Sequence, residues 1–177
     1  PHSPEQMSEQ GDFAEGEKLA NKEEWQAAVD CFTRVIDSDS GAAKAFQWRG
    51  YCYMKMELEL FAFPDLQAAV RIDPEDAESH EWLGHCYFNS DRFGLALKHY
   101  SEQIRLTPEE SEGYSHRGDT NWELKRYEEA AKDYREALRF APEDCDLHEN
   151  LAQAYEKMGK FSEAREVRGE AREKGCE

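Results

Sequence analysis

The sequence predicts an all-α protein built as a stack of antiparallel helix pairs, and three observations predict it. Gly50, Gly84 and Gly118 stand one step of 34 residues apart. The same step carries Tyr53 to Tyr87, Ala62 through Ala96 to Ala130, and Pro74 through Pro108 to Pro142. Extended outwards without an insertion, the register takes in Gly16, Ala28 and Phe32 on one side and Ala152, Tyr155, Phe161 and Ala164 on the other. A fixed period of this length marks repeated supersecondary units, none of which can bury its apolar face alone. Function in such a chain is expected on the surface the units share.

Five repeats are expected, near 9–42, 43–76, 77–110, 111–144 and 145–177. In the first helix of a repeat, Phe46, Gly50 and Tyr53 fall at helical spacing and form one apolar stripe. Glycine there lets a neighbouring helix approach closely. In the second helix, Ala130, Tyr134 and Ala137 repeat the logic. Pro74, Pro108 and Pro142 stop the second helices and turn the chain into the next repeat. The register of Phe32, Leu66, Tyr100 and Tyr134 is expected to pack a large side chain toward the following repeat. In the fifth repeat that position is Arg168, beside Gly169, so the last helix is expected to act as a solvating cap and the array to end near Gly175. Residues 1–8 fall outside the register and are expected to be a disordered tail or an expression remnant. The second repeat departs from the pattern: its turn reads MELEL where others read SDRF, LKRY and MGKF. Glu59 takes the aromatic's place and Pro64 follows, so this helix is expected to start late or kink.

The pattern resembles the tetratricopeptide repeat family. The stretches that carry the resemblance are AFQWRGYCY, SHEWLGHCYF, GYSHRGDTNW and LHENLAQAY in first helices, and WQAAVDCFTRVID, RFGLALKHYSEQIRLTP and RYEEAAKDYREALRFAP in second helices. It covers residues 9–177. The resemblance implies a right-handed superhelical solenoid whose first helices line a concave groove, and a role in binding other proteins; it names no partner.

Composition narrows the function classes. Lys and Arg total 22 against 39 Asp and Glu, a net charge of −17, which disfavours a phosphate backbone as partner. No apolar run is long enough to span a membrane, and the N-terminus shows no signal-peptide pattern. The five cysteines form no CxxC. Cys52 and Cys86 share a register one residue before Tyr53 and Tyr87 and read as small core residues rather than a disulfide or metal site. Cys145 opens the fifth repeat and Cys176 lies in the tail. Free thiols point to a reducing compartment, by default the cytoplasm.

No catalytic motif occurs, so the chain is expected not to be an enzyme and to need no cofactor or resident metal. His80-Glu81-x-x-x-His85 is one residue too long for HExxH, which turns the second histidine off the first one's face. His80 and His148 share the register of Phe46 and Tyr114 and read as packed histidines. The stripe opposite each first helix's packing stripe is expected to face the groove. It holds Trp48, Tyr51, Trp82, His85, Phe88, His116 and Trp122, rimmed by the acids Glu78, Glu81, Glu112 and Asp119; Asp146 and Glu149 extend the rim. Trp25, in an aromatic core register, packs. The tryptophans either stiffen the stack or form an aromatic trough with anchor residues of the type that dominate interfaces. With the acidic rim, a trough favours a partner segment carrying apolar and basic side chains.

The family's carboxylate clamp, which grips chaperone tails, needs Lys, Asn, Asn, Lys and Arg across three repeats. The three frames give Phe13, Glu17, Trp48, Glu78, Trp82; Gln47, Tyr51, Trp82, Glu112, His116; and Glu81, His85, His116, Asp146, Asn150. None carries the cations. The leading expectation is an adaptor or scaffold holding a short apolar-basic segment. A self-assembling scaffold, docking through repeats or the N-terminal helix, is a second; a metal or acid-base site at His85, His116 and Asp119 is a third.

Overall fold

The computed structural model describes residues 4–176, with side chains from residue 9 onward. Ten helices make five helix–turn–helix repeats: α1 (Pro4–Asn21), α2 (Trp25–Ser38), α3 (Ala43–Lys55), α4 (Glu59–Ile72), α5 (Ala77–Asn89), α6 (Phe93–Leu106), α7 (Ser111–Glu123), α8 (Tyr127–Phe140), α9 (Cys145–Lys157) and α10 (Phe161–Glu173). The described residues contain no strand, as the all-α expectation requires. The chain divides into an N-terminal body, Pro1–Cys86, and a C-terminal body, Tyr87–Glu177.

Each first helix ends in the same turn. The residue after its C-cap takes positive φ: Glu23 (62°), Glu57 (60°), Asp91 (58°), Lys125 (58°) and Gly159 (75°). The N–H of this residue and of the next reach back to the last helical turn, for example Glu57 to Met54 O and Leu58 to Tyr53 O. This double reach satisfies carbonyls that a helix end leaves orphaned. Gly175 (93°) closes α10 identically, with Gly175 and Cys176 donating to Arg172 O and Ala171 O. The prolines fall two residues past α4, α6 and α8, where they cannot continue a helix.

The glycine register proves to be a seat. A methyl at Gly16, Gly50 or Gly118 would lie 2.8, 2.7 or 2.7 Å from Phe32, Leu66 or Tyr134. The large side chain thus covers the glycine of its own repeat as well as packing toward the next, as expected. Phe32 does also stack on Trp48 of the next repeat, with ring centroids 5.9 Å apart. In the N-terminal body the core gathers Ala28, Val29, Phe32, Val35, Ala45 and Cys52; in the C-terminal body it gathers Ala130, Tyr134, Leu147, Leu151, Ala164 and Val167.

Four expectations need correction. α4 starts at Glu59, in step with Trp25, Phe93, Tyr127 and Phe161, rather than late. Pro64 is tolerated because the bond it removes would have gone to the carbonyl of Leu60, at a residue 90% exposed. Of the expected tail, residues 1–3 lie outside the described residues, while α1 already runs from Pro4, a first helical position where a missing N–H costs nothing. Cys145 and Cys176 form a disulfide, with Cα atoms 5.5 Å apart, because the Gly175 turn folds Cys176 back onto the start of α9. Cys31, Cys52 and Cys86 are buried thiols outside any disulfide. The reducing-compartment reading rested on free thiols and loses that footing.

Two paired side chains, unforeseen in the sequence, tie successive helices together. Arg49 on α3 holds Asp65 on α4 and donates from Nη1 to Thr33 Oγ on α2 at 3.1 Å. Arg117 on α7 holds Asp133 on α8 and donates to Ser101 Oγ on α6 at 3.3 Å. Their signal in the sequence is an Arg followed 16 residues later by an Asp, present in repeats two and four.

Candidate functional site

In the N-terminal body, Trp48, Tyr51 and Trp82 are half-buried and pack on one another. Trp48 meets Tyr51 edge-on at 5.7 Å, Tyr51 lies 4.7 Å from Trp82, and Trp82 lies 5.3 Å from His85. Trp25 closes the set, edge-on to Tyr51 at 5.9 Å. Lys55 Nζ sits 5.4 Å over Tyr51 and 5.9 Å from Trp82, a cation already provided by the chain itself. The Trp82 indole N–H is buried without a hydrogen-bond partner among the described residues. On the rim, Glu81 approaches His85 at 3.7 Å, and Glu78 shares Lys44 with Asp76. Burial works against the Asp76 carboxylate, but its bonds to Lys44 and Ser79 outweigh that and hold its pKa below the usual range.

In the C-terminal body, Phe88, Asp119, Trp122, Glu123, Tyr134, Asn150 and Gln153 line an open cleft of about 240 Å³. Phe88 and Trp122 are anchored edge-on by Phe93 and Tyr127, at 5.5 and 5.2 Å. The Tyr134 hydroxyl donates to Asp119 Oδ1 at 2.7 Å. Burial and the nearby Asp119 charge push the Tyr134 pKa well above the ordinary phenol range, so this donor stays protonated. His116 lies 5.2 Å from Tyr100, half-buried, and Glu112 is exposed. Of the proposed metal or acid-base set, His85 faces Glu81 and Asp119 takes the Tyr134 hydroxyl. His80 and His148 are buried and bond to the Pro74 and Asp144 carbonyls, the packing role expected of them. No helix among the described residues is long and apolar enough to cross a membrane.

The chain has the fold of a tetratricopeptide-repeat array. A TPR repeat family model matches residues 122–159, the stretch from the end of α7 through the turn after α9. The solved structures agree in fold. A MamA protein superposes with a TM-score of 0.87 at 22% identity, covering 94% of this chain and 91% of that one. MamA from Desulfovibrio magneticus RS-1 (residues 41 to the end) gives 0.86 at 12% identity, with 95% of each chain covered. YrrB, described as a TPR protein with an unusual peptide-binding site, gives 0.80 at 20% identity, covering 92% of this chain and 84% of that one. No curated protein matches the sequence.

Proposed function

We propose that this chain is a non-enzymatic adaptor or scaffold that holds a short protein segment bearing apolar and basic side chains. The observation that carries this reading is the cleft of the C-terminal body. There Asp119 and Glu123 stand beside the half-buried Phe88 and Trp122, and the Asn150 side-chain amide offers a donor and an acceptor to an extended backbone. A guanidinium entering it would meet a carboxylate and an aromatic face together, while a carboxylate tail would meet acids. The peptide-binding description of YrrB, a neighbour in fold, supports the same class. The aromatic wall of the N-terminal body, with Lys55 across it, reads as stiffening first.

Fluorescence anisotropy with a labelled peptide alternating Arg with Leu and Trp, beside its Glu-for-Arg counterpart, tests the reading. Binding of the Arg peptide is expected to weaken by roughly 2 kcal/mol in Trp122→Ala, with helicity unchanged. Equal binding of the Glu peptide, or no effect of Trp122→Ala, overturns it.

A further inference from the structure

The start of α4 carries an apolar patch that the repeat itself does not require. Leu60 is 90% exposed, Phe61 58% and Leu58 37%, and Pro64 is exposed one helical turn beyond Leu60. The other repeats show what the fold needs at these registers. The fourth repeat places Arg126, Glu128, Glu129 and Lys132 where the second places Leu58, Leu60, Phe61 and Pro64. The same helix geometry, starting at the same step, forms with four charged side chains there. Only one of the apolar four has a ring contact at home: Phe61 leans on Tyr53 at 5.5 Å.

Pro64 adds a second feature. It has no N–H to give the Leu60 carbonyl, so an acceptor without its α-helical partner stands in the middle of the patch. Glu57 and Glu59, both exposed, flank the apolar residues. We infer that this patch is a second docking surface, which seats a short amphipathic segment of another protein with apolar residues on one face and Lys or Arg beside them. Charge selects that occupant. The exposed glutamates add negative charge beside the apolar residues, which favours a cationic partner, whereas a second copy of this chain brings a net charge of −17 to the contact. Size agrees, because four side chains cover far less than the roughly 800 Å² a side of a standard stable interface. The patch belongs to the N-terminal body and the cleft around Trp122 to the C-terminal body.

The test uses the whole chain and a labelled Leu/Lys peptide of helical periodicity as the probe. The variant Leu60→Glu/Phe61→Glu copies the fourth repeat, and Leu60→Gln serves as a milder partner. Adding glutamates strengthens any purely electrostatic attraction of the cationic peptide, so the two explanations predict opposite signs. Binding is expected to weaken at least about tenfold in the double variant and measurably in Leu60→Gln. The same loss is expected when these changes are made in a Trp122→Ala background, where the cleft no longer contributes to binding, and melting is expected to be the same in wild type and Leu60→Gln. Unchanged or tighter binding in the double variant overturns the proposal. So does a concentration-dependent dimer of the wild type, lost in Leu60→Gln on light scattering, which would assign the patch to a second copy.

Discussion

Arg49 grips Asp65 through Nε and Nη2 at 2.7 and 2.8 Å, and Arg117 grips Asp133 two repeats later through the same two atoms at 3.0 and 2.7 Å. The aspartates are buried. A buried pair of this kind is weak evidence of net stabilisation, yet removing one partner leaves an uncompensated charge. The fifth repeat supplies the apolar alternative: Leu151 and Val167 occupy the same two registers and are fully buried.

Asp65→Ala is therefore expected to cost about 3–5 kcal/mol, while Arg49→Leu/Asp65→Val is expected to be near neutral or stabilising. Thr33 keeps a partner in the double variant, since its hydroxyl also donates to the Val29 carbonyl. Urea unfolding of the three proteins checks this. A double variant as damaged as the single one would refute it.

The turn positions give an independent prediction. Lys125 and Asp91 hold positive φ at the place where Gly159 holds it freely. Lys125→Gly is expected to stabilise by about 0.5–1 kcal/mol, because the left-handed conformation costs a residue with a Cβ more than the added unfolded-state entropy of glycine. Gly159→Ala is expected to lose about 1 kcal/mol. Thermal melts of both variants against wild type decide the point.

The Cys145–Cys176 bond spans 31 residues and clamps both ends of the fifth repeat. Reduction is expected to lower stability by about 2–4 kcal/mol, the range for closing a loop of this length. Alkylation under native conditions should then label two thiols only after reduction. Cys52 and Cys86 should resist in either state, because burial pushes both thiols up to about 12. A native thiol count that does not change on reduction would contradict the pairing.

Arg168 donates to Glu149 at 2.9 Å and to Glu156 at 2.5 Å, and those bonds hold both carboxylates below their ordinary pKa. A lowered folded-state pKa contributes stability above the unfolded value, near about 4.3, and loses it as pH falls through the lowered one. The melting difference between wild type and Arg168→Ala is thus expected to be present at neutral pH and to vanish in strong acid. A difference that persists unchanged at low pH would mean that Arg168 acts through packing.

Much of the fold was legible because small residues and prolines recur at one step: Gly50, Ala62 and Pro74 each carry the spacing by themselves. The turns were not legible, since four of the five positive-φ positions after the first helices hold Glu, Asp or Lys instead of glycine. Pro64 misled, because its effect depends on whether the carbonyl it orphans faces water. The Cys145–Cys176 pair was invisible until the Gly175 turn folded the tail back. The candidate site was half legible. Spacing put Trp48 and Trp122 on the same expected surface, but spacing alone could not separate Trp48, locked between Phe32 and Tyr51, from Trp122 at an open cleft. The ion pairs escaped because they recur at every second repeat, outside a search at the basic step.

That alternation has a consequence for how such an array can be lengthened. Arg49 and Arg117 each borrow a hydroxyl from the repeat before them, Thr33 and Ser101. Repeats two and four own the charge and repeats one and three own the hydroxyl, so adjacent repeats are not interchangeable parts. Duplicating one repeat would set like beside like at a junction, whereas copying a neighbouring pair would keep every donor opposite its acceptor. Geometrically the chain counts in ones; by its polar interior it counts in twos, and viable insertions or deletions are those that preserve parity.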